Sequence, residues 1–96
     1  MQAPPVFIAH LGNEAKLEAV KLTSTLRKDG IAAVMAAGDR SLKGQLRQAN
    51  SLGRSYAAII GEDEVKSGAV TLRNMMTGEQ KTVSLAALGG LLKKVA

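Results

Sequence analysis

The sequence predicts an α/β domain built on a mixed sheet of about five strands, in the order β-α-β-α-β-β-β-α, with three flanking helices. Up to residue 60, short apolar runs alternate with helical patterns, which predicts right-handed crossovers and a parallel core. After residue 68, apolar residues alternate with polar ones on both sides of a turn sequence, which predicts an antiparallel hairpin.

The composition is sufficient for one such domain. The chain has 96 residues, of which 46% are hydrophobic, and with one Phe, one Tyr and no Trp its core is expected to be aliphatic. The absence of cysteine excludes disulfides and thiolate metal sites, and no apolar run is long enough to span a membrane. We expect a short leader at residues 1–5 and the domain at residues 6–96.

Three apolar runs, at residues 6–9, 31–37 and 56–60, predict buried strands, the third of them central in the sheet. The first two runs enclose a helix that Asn13 is expected to cap and that Gly30 is expected to end. The predicted core stripe of this helix comprises Ala15, Ala19, Leu22 and Leu26, widened by Val20.

The second helix, which Asp39 or Ser41 is expected to cap, carries two contrasting stripes. The apolar stripe, which is expected to face the sheet, consists of Leu42, Leu46 and Ala49, with Leu52 close to it. The other stripe contains no acid and consists of Arg40, Lys43, Arg47, Asn50 and Arg54. Because a merely solvated face usually mixes charges of both signs to gain ion pairs, this stripe favours phosphate binding over solvation. The net charge of +5 also favours an anionic partner, nucleic acid first, although solubility alone explains it about equally well.

The second half of the chain predicts a turn region at residues 61–68, with at most one helical turn at residues 63–66. A half-exposed strand follows at residues 70–73, then a hairpin turn and a last strand at residues 81–84. Ser84 is expected to cap a C-terminal helix that its two glycines weaken.

Three acids, Glu62, Asp63 and Glu64, follow the carboxyl end of the third strand, the edge at which parallel sheets bind ligands. The basic stripe and Arg73 are expected to lie at this same end. The acids allow a Mg²⁺ site, a base-reading site or an ion-pair network between Glu64 and Arg73. Metal is the weakest of these alternatives, because adjacent acids in a turn point apart and no calcium-loop motif is present.

Catalysis has little support in the sequence. His10, which follows the first strand, is expected at the same edge of the sheet, where a surface role is more common than catalysis. The chain has no P-loop, no Gly-x-Ser-x-Gly and no dinucleotide-binding motif. No catalytic residue and no metal ligand is therefore predicted.

Several segments together carry a family resemblance: residues 41–46, 59–64, 70–73 and 77–80. They resemble the C-terminal anticodon-binding domain of class II aminoacyl-tRNA synthetases, most closely the histidyl-tRNA synthetase branch, and the resemblance runs from Val6 to the end of the chain. It implies a mixed five-stranded sheet that grips an anticodon stem-loop. The base-reading residues it points to are Glu62, Glu64 and Arg73, beside the phosphate-binding Arg40, Lys43, Arg47 and Arg54.

The resemblance also implies the partners: a histidine tRNA, the catalytic domain of a parent synthetase, and no membrane. The parent is expected to be a cytoplasmic homodimer that uses ATP and Mg²⁺ in its catalytic domain. This chain lacks the class II catalytic motifs, so we expect it to perform no chemistry and to hold no cofactor. Two alternatives remain, a synthetase-like regulatory or protein-interaction module and a small metal-dependent enzyme that uses the three adjacent acids.

Overall fold

The computed structural model describes residues 5–38 and 41–94, and it confirms the predicted order of strands and long helices. The strands are β1 (Val6–His10), β2 (Ala33–Met35), β3 (Tyr56–Ile60), β4 (Ala69–Asn74) and β5 (Gln80–Ser84). The helices are α1 (Asn13–Lys28), α2 (Leu42–Ser51), α3 (Glu62–Ser67) and α4 (Leu88–Lys94), with a 3₁₀ turn at Leu85–Ala87. The additional helix is α3, which is longer than the single turn that the sequence predicts.

The five strands form one mixed sheet in the order β2-β1-β3-β4-β5. β1 is parallel to both of its neighbours, whereas β3 with β4 and β4 with β5 are antiparallel. This confirms the predicted parallel core followed by a hairpin. Residues 1–4 of the expected leader lie outside the described residues, and the Pro5 carbonyl accepts hydrogen bonds from the amides of Ser55 and Tyr56.

The side of the sheet covered by α1 and α4, here called the α1 face, holds the larger core. Alternate strand residues point to this face, among them Ile8, Ile60 and Leu72. The helices contribute Ala15, Ala19, Leu22, Leu26, Leu88 and Leu92. The prediction that Val20 widens the α1 stripe is wrong, because its side chain is 50% exposed.

The opposite side, here called the α2 face, holds a smaller core under a single helix. Phe7, Ala9 and Ile59 point to this face and pack against α2. The helix supplies Leu42, Leu46 and Ala49, as the sequence predicts. The prediction that Leu52 also faces the sheet is wrong, because it follows the last helical residue and is 49% exposed.

The helix ends agree with the sequence in most places. Ser41 caps α2, its Oγ accepting a hydrogen bond from the Gly44 amide at 3.2 Å, and Asp39 lies outside the described residues. Gly30 follows α1 with a positive φ of 81°, a conformation that favours glycine. Asn13 is instead the first residue of α1, which starts after Gly12 without a side-chain cap. None of the helices within the described ranges has the length and apolarity that a bilayer span needs.

Candidate functional site

The basic residues of α2 occupy the flank of the helix that is turned away from β2. The opposite flank is marked by Gln45, whose side chain bonds the backbone of His10 on the β2 side of β1. At about 100° per residue, Lys43, Asn50 and Arg47 lie about 140–200° around the helix from Gln45. All three are exposed, and they are here called the basic face. The basic face therefore lies on the solvent-exposed side of α2, away from Gln45 and β2.

A polar part of the sheet lies beside the basic face. α2 packs over β1 and β3 and leaves the same side of β4 and β5 to solvent. The residues on this open face form two register pairs, Thr71 with Thr82 and Arg73 with Gln80. The Arg73 Nη1 donates a hydrogen bond to the Gln80 Oε1 at 3.0 Å. The open face thus presents hydroxyl, amide and guanidinium groups on one side of the β4–β5 pair.

The remaining predicted phosphate ligands are Arg54, which the structure describes, and Arg40, which lies outside the described residues. Arg54 is half-buried just after α2, and its backbone amide donates a hydrogen bond to the Ala49 carbonyl. The Nε atoms of Arg54 and Arg73 are both buried and have no hydrogen-bond partner among the described residues. Each of these guanidinium groups therefore retains donor capacity.

The basic groups of this site are not neutralised within the protein. In residues 5–38 and 41–94, one ion pair forms, between the Lys21 Nζ and the Glu18 Oε1 at 3.6 Å, and both residues belong to α1. Lys43 and Arg47 on the basic face and Arg73 on the open face therefore have no acidic partner among the described residues. Such an arrangement attracts phosphate groups.

The three predicted acids lie in the first turn of α3, at the carboxyl end of β3. The Glu64 Oε1 accepts a hydrogen bond from the Gly61 amide at 2.8 Å, which fixes one of its two carboxylate oxygens. Together with Leu11 and Gly12, the acids line an open groove. Across the described residues, no three His, Asp or Glu side chains come close enough together to hold a metal ion.

Arg73 and the acids are not brought together. β4 runs back along β3, so that Arg73 pairs with Ala57, three residues before Ile60 at the other end of β3. That offset corresponds to roughly 10 Å along the strand. The expectation that they share one end of the sheet is therefore wrong, and no Glu64–Arg73 ion pair occurs among the described residues.

His10 and Gln45 differ most from what the sequence suggests. His10 is not a surface residue but is 3% exposed, and its Nε2 lies 3.1 Å from the Ala36 carbonyl oxygen. Gln45 is completely buried, and sequence reasoning assigned it no role. The available signal was its position at the edge of the apolar stripe of α2, next to Ala49 around the helix, where a side chain can be buried against the sheet.

Comparisons with known proteins give a consistent result. Residues 5–95 match the family model described as "Anticodon binding domain". The histidine–tRNA ligase of Dehalococcoides mccartyi is 45% identical over 94 residues, which are 98% of this chain and 22% of that protein. The histidine–tRNA ligase of Acetivibrio thermocellus is 43% identical over 90 residues, or 94% of this chain and 22% of that protein.

A solved structure agrees with these sequence matches. The crystal structure of apo histidyl-tRNA synthetase from S. aureus superposes with a TM-score of 0.86 at 36% sequence identity. The match covers 95% of this chain and 27% of that one. The chain thus spans about a fifth of the length of the curated relatives it matches.

Proposed function

This chain belongs to the family of anticodon-binding domains, and from that membership we propose that it binds the anticodon loop of histidine tRNA on behalf of a histidine–tRNA ligase. The ligases that match it over nearly its whole length support the choice of tRNA. Because the chain spans 22% of those ligases, aminoacylation is a proposal for the parent protein, in a catalytic domain outside this chain.

The observation that carries the proposal is the unpaired basic face beside the open face of the sheet. Lys43 and Arg47 are exposed on one flank of α2, and neither has an acidic partner among the described residues. We propose that Lys43 and Arg47 bind backbone phosphates of the tRNA, and that Arg54 and the predicted ligand Arg40 contribute further phosphate contacts. Phosphate contacts of this kind position a nucleic acid without reading its sequence.

The bases would then lie over the open face and toward α3. Arg73 has two terminal nitrogens for base edges, one of which also bonds Gln80, whereas Glu64 has one carboxylate oxygen that the Gly61 amide does not occupy. A carboxylate accepts hydrogen bonds from the amino and imino groups of guanine, which a histidine anticodon contains. Because Arg73 and Glu64 are separated along β3, they would contact different nucleotides, with Glu62 beside Glu64.

The parent protein is proposed to be a cytoplasmic homodimer that uses ATP and Mg²⁺ in its catalytic domain. The family resemblance supports this part of the proposal. The domain described here would contribute affinity and tRNA selection to that enzyme and would itself perform no chemistry.

The proposal is tested by titrating the chain with a fluorescently labelled histidine anticodon stem-loop over a range of salt concentrations. If about three or four phosphates are engaged, the logarithm of the binding constant should fall with the logarithm of salt with a slope of about −2 to −4. Lys43→Ala should weaken every stem-loop about equally and make the slope shallower by roughly one. Lys16→Ala on α1 removes the same charge from an exposed site on the opposite side of the sheet and is the matched control.

Two results would contradict the proposal. One is a flat salt dependence, which would favour the alternative of a synthetase-like regulatory or protein-interaction module. The other is an equal effect of Lys43→Ala and Lys16→Ala, which would mean that net charge, rather than the basic face, determines binding.

A further inference from the structure

Gln45 completes the hydrogen-bond ladder of β1 at the point where β2 has ended. Even-numbered residues of β1 turn their backbone groups toward β2, as the bonds from the Val6 amide to the Ala32 carbonyl and from the Ala36 amide to the Ile8 carbonyl show. β2 ends too early to provide hydrogen-bond partners for the backbone amide and carbonyl of His10. Instead, the Gln45 Oε1 accepts from the His10 amide at 2.8 Å, and the Gln45 Nε2 donates to the His10 carbonyl at 2.8 Å.

This pair of bonds constrains the rotation of α2 about its own axis. Both groups are buried, Gln45 completely and His10 at 3% exposure, so that losing either bond would leave a buried polar group unsatisfied. The apolar contacts of α2 with the sheet are made by Leu42, Leu46 and Ala49, and burial of this kind has no directional preference. Within residues 5–38 and 41–94, the amide of Gln45 therefore provides directional hydrogen bonds between α2 and the sheet.

We propose that Gln45 is a positioning residue for nucleic-acid binding, which sets the rotation of α2 so that the basic face is directed over the open face of the sheet. Lys43 and Arg47 lie on the flank opposite to Gln45, and a rotation of the helix would move both of them in the same direction. This inference rests on the proposed function, because the orientation of α2 would determine how many tRNA phosphates the basic face contacts.

The test is Gln45→Met, which preserves the length of the side chain and removes both bonds to His10. Gln48→Met is the matched control, since it makes the same chemical change one turn along α2, where the Gln48 Oε1 has no partner among the described residues. At a temperature where circular dichroism shows all variants folded, Gln45→Met should bind the stem-loop about fivefold or more weakly near 0.1 M salt, with a slope shallower by roughly one. Gln48→Met should match the unmodified chain in both quantities.

A double-mutant cycle separates positioning from a general structural effect. If Gln45 acts through the basic face, Gln45→Met should cost no further affinity in a chain that already carries Lys43→Ala and Arg47→Ala. An equal loss in both backgrounds would overturn the positioning role, and so would an unchanged slope in folded Gln45→Met.

Gln45→Asn keeps the amide but shortens its reach by one methylene, and it serves as the second variant should Gln45→Met not fold. Failure of both variants to fold, even in a stabilising osmolyte, would assign the Gln45 bonds to stability alone and overturn the inference. The unmodified chain distinguishes the two proposals. If the unmodified chain shows no salt-dependent binding, the proposed function fails. If its salt slope is normal and Lys43→Ala makes that slope shallower, but Gln45→Met leaves it unchanged, only the positioning role is refuted.

Discussion

Glu64 has a structural contact that limits how it can bind a base. The Gly61 amide holds its Oε1 at 2.8 Å, and a Cβ at residue 61 would lie only 3.0 Å from that oxygen. Glycine at this position therefore allows the carboxylate to fold back over the start of α3. The other oxygen is the one left for a guanine edge.

Replacing Glu64 by Gln should separate this structural contact from base reading. The amide oxygen of Gln can still accept from the Gly61 amide, so we expect the free energy of unfolding to change by less than about 0.5 kcal/mol. Where the carboxylate faces a guanine, the new amino group opposes a donor, and binding should weaken by about 1–3 kcal/mol. The measurement compares a histidine anticodon stem-loop with one whose guanines are replaced.

Asp63→Asn is the control for this substitution, because it makes the same change in the same turn of α3. An equal loss of affinity for both stem-loops, or an equal effect of Asp63→Asn, would show that Glu64 does not read a base.

The residues of the basic face could be predicted from the sequence, because residues spaced three or four positions apart lie on the same side of a helix. The role of Gln45 could not, because its partners are backbone groups of His10, and no sequence pattern shows which strand ends early. His10 was misplaced for the same reason.

At the scale of the element, α4 shows how two adjacent glycines can differ in their surroundings. A Cβ at Gly89 would lie 3.3 Å from the Asp29 Oδ2 and 3.8 Å from the Leu26 Cδ2, both at the end of α1. A Cβ at Gly90 would have no neighbour within 4 Å. The first glycine therefore allows α4 to approach α1 closely, and the second only weakens the helix.

We expect Gly90→Ala to raise the free energy of unfolding by about 0.5–1 kcal/mol, since it removes the conformational freedom of glycine from a helix without creating a contact. Gly89→Ala should gain less or should destabilise, because the tight contact with Asp29 offsets the gain in helix propensity. Urea unfolding of both variants provides the comparison. An equal gain at the two positions would mean that α4 does not pack closely on α1.

The elements themselves were largely predictable, and the errors lie at their ends. The apolar run at residues 31–37 predicts a strand, but the strand covers only Ala33–Met35. Apolar residues on either side of it, such as Ile31 and Ala36, are buried without being part of the strand. Hydrophobicity reports burial, whereas a strand also requires backbone partners, and the sequence does not show where those partners end.

At the scale of the whole molecule, the two sides of the sheet differ in how fully helices cover them. The α1 face is filled by the 16-residue α1 and the 7-residue α4, whereas the α2 face is only partly covered and leaves a polar surface beside a basic helix. The sequence predicts the basic helix and the half-exposed strand, but it does not predict at which end of the sheet each of their charged residues lies. The order of elements was expected to place Arg73 at the same end of the sheet as the acids, yet antiparallel pairing carries β4 back to the opposite end of β3.

The outer edge of β2 should influence how readily copies of this chain associate. The Arg27 Nε donates a hydrogen bond to the Ala33 carbonyl at 2.9 Å and so occupies an acceptor that an edge strand would otherwise present to another chain. Arg27→Ala should therefore increase self-association with rising protein concentration, as measured by sedimentation velocity. Lys28→Ala removes the neighbouring exposed charge and is the control, and equal behaviour of the two variants would contradict this role of Arg27.

The strand order also has a consequence for how the chain folds. β1 precedes the other four strands along this chain, yet it lies inside the sheet, and Val6 pairs with Ala33 on one side and with Tyr56 on the other. β2 pairs with β1 alone, so neither strand can join a sheet of more than two strands until β3 has emerged from the ribosome. Contacts between residues far apart in sequence close slowly, because the intervening loop must first lose its entropy. We therefore expect the docking of β3 against β1 to limit the folding rate, with the β4–β5 hairpin added afterwards.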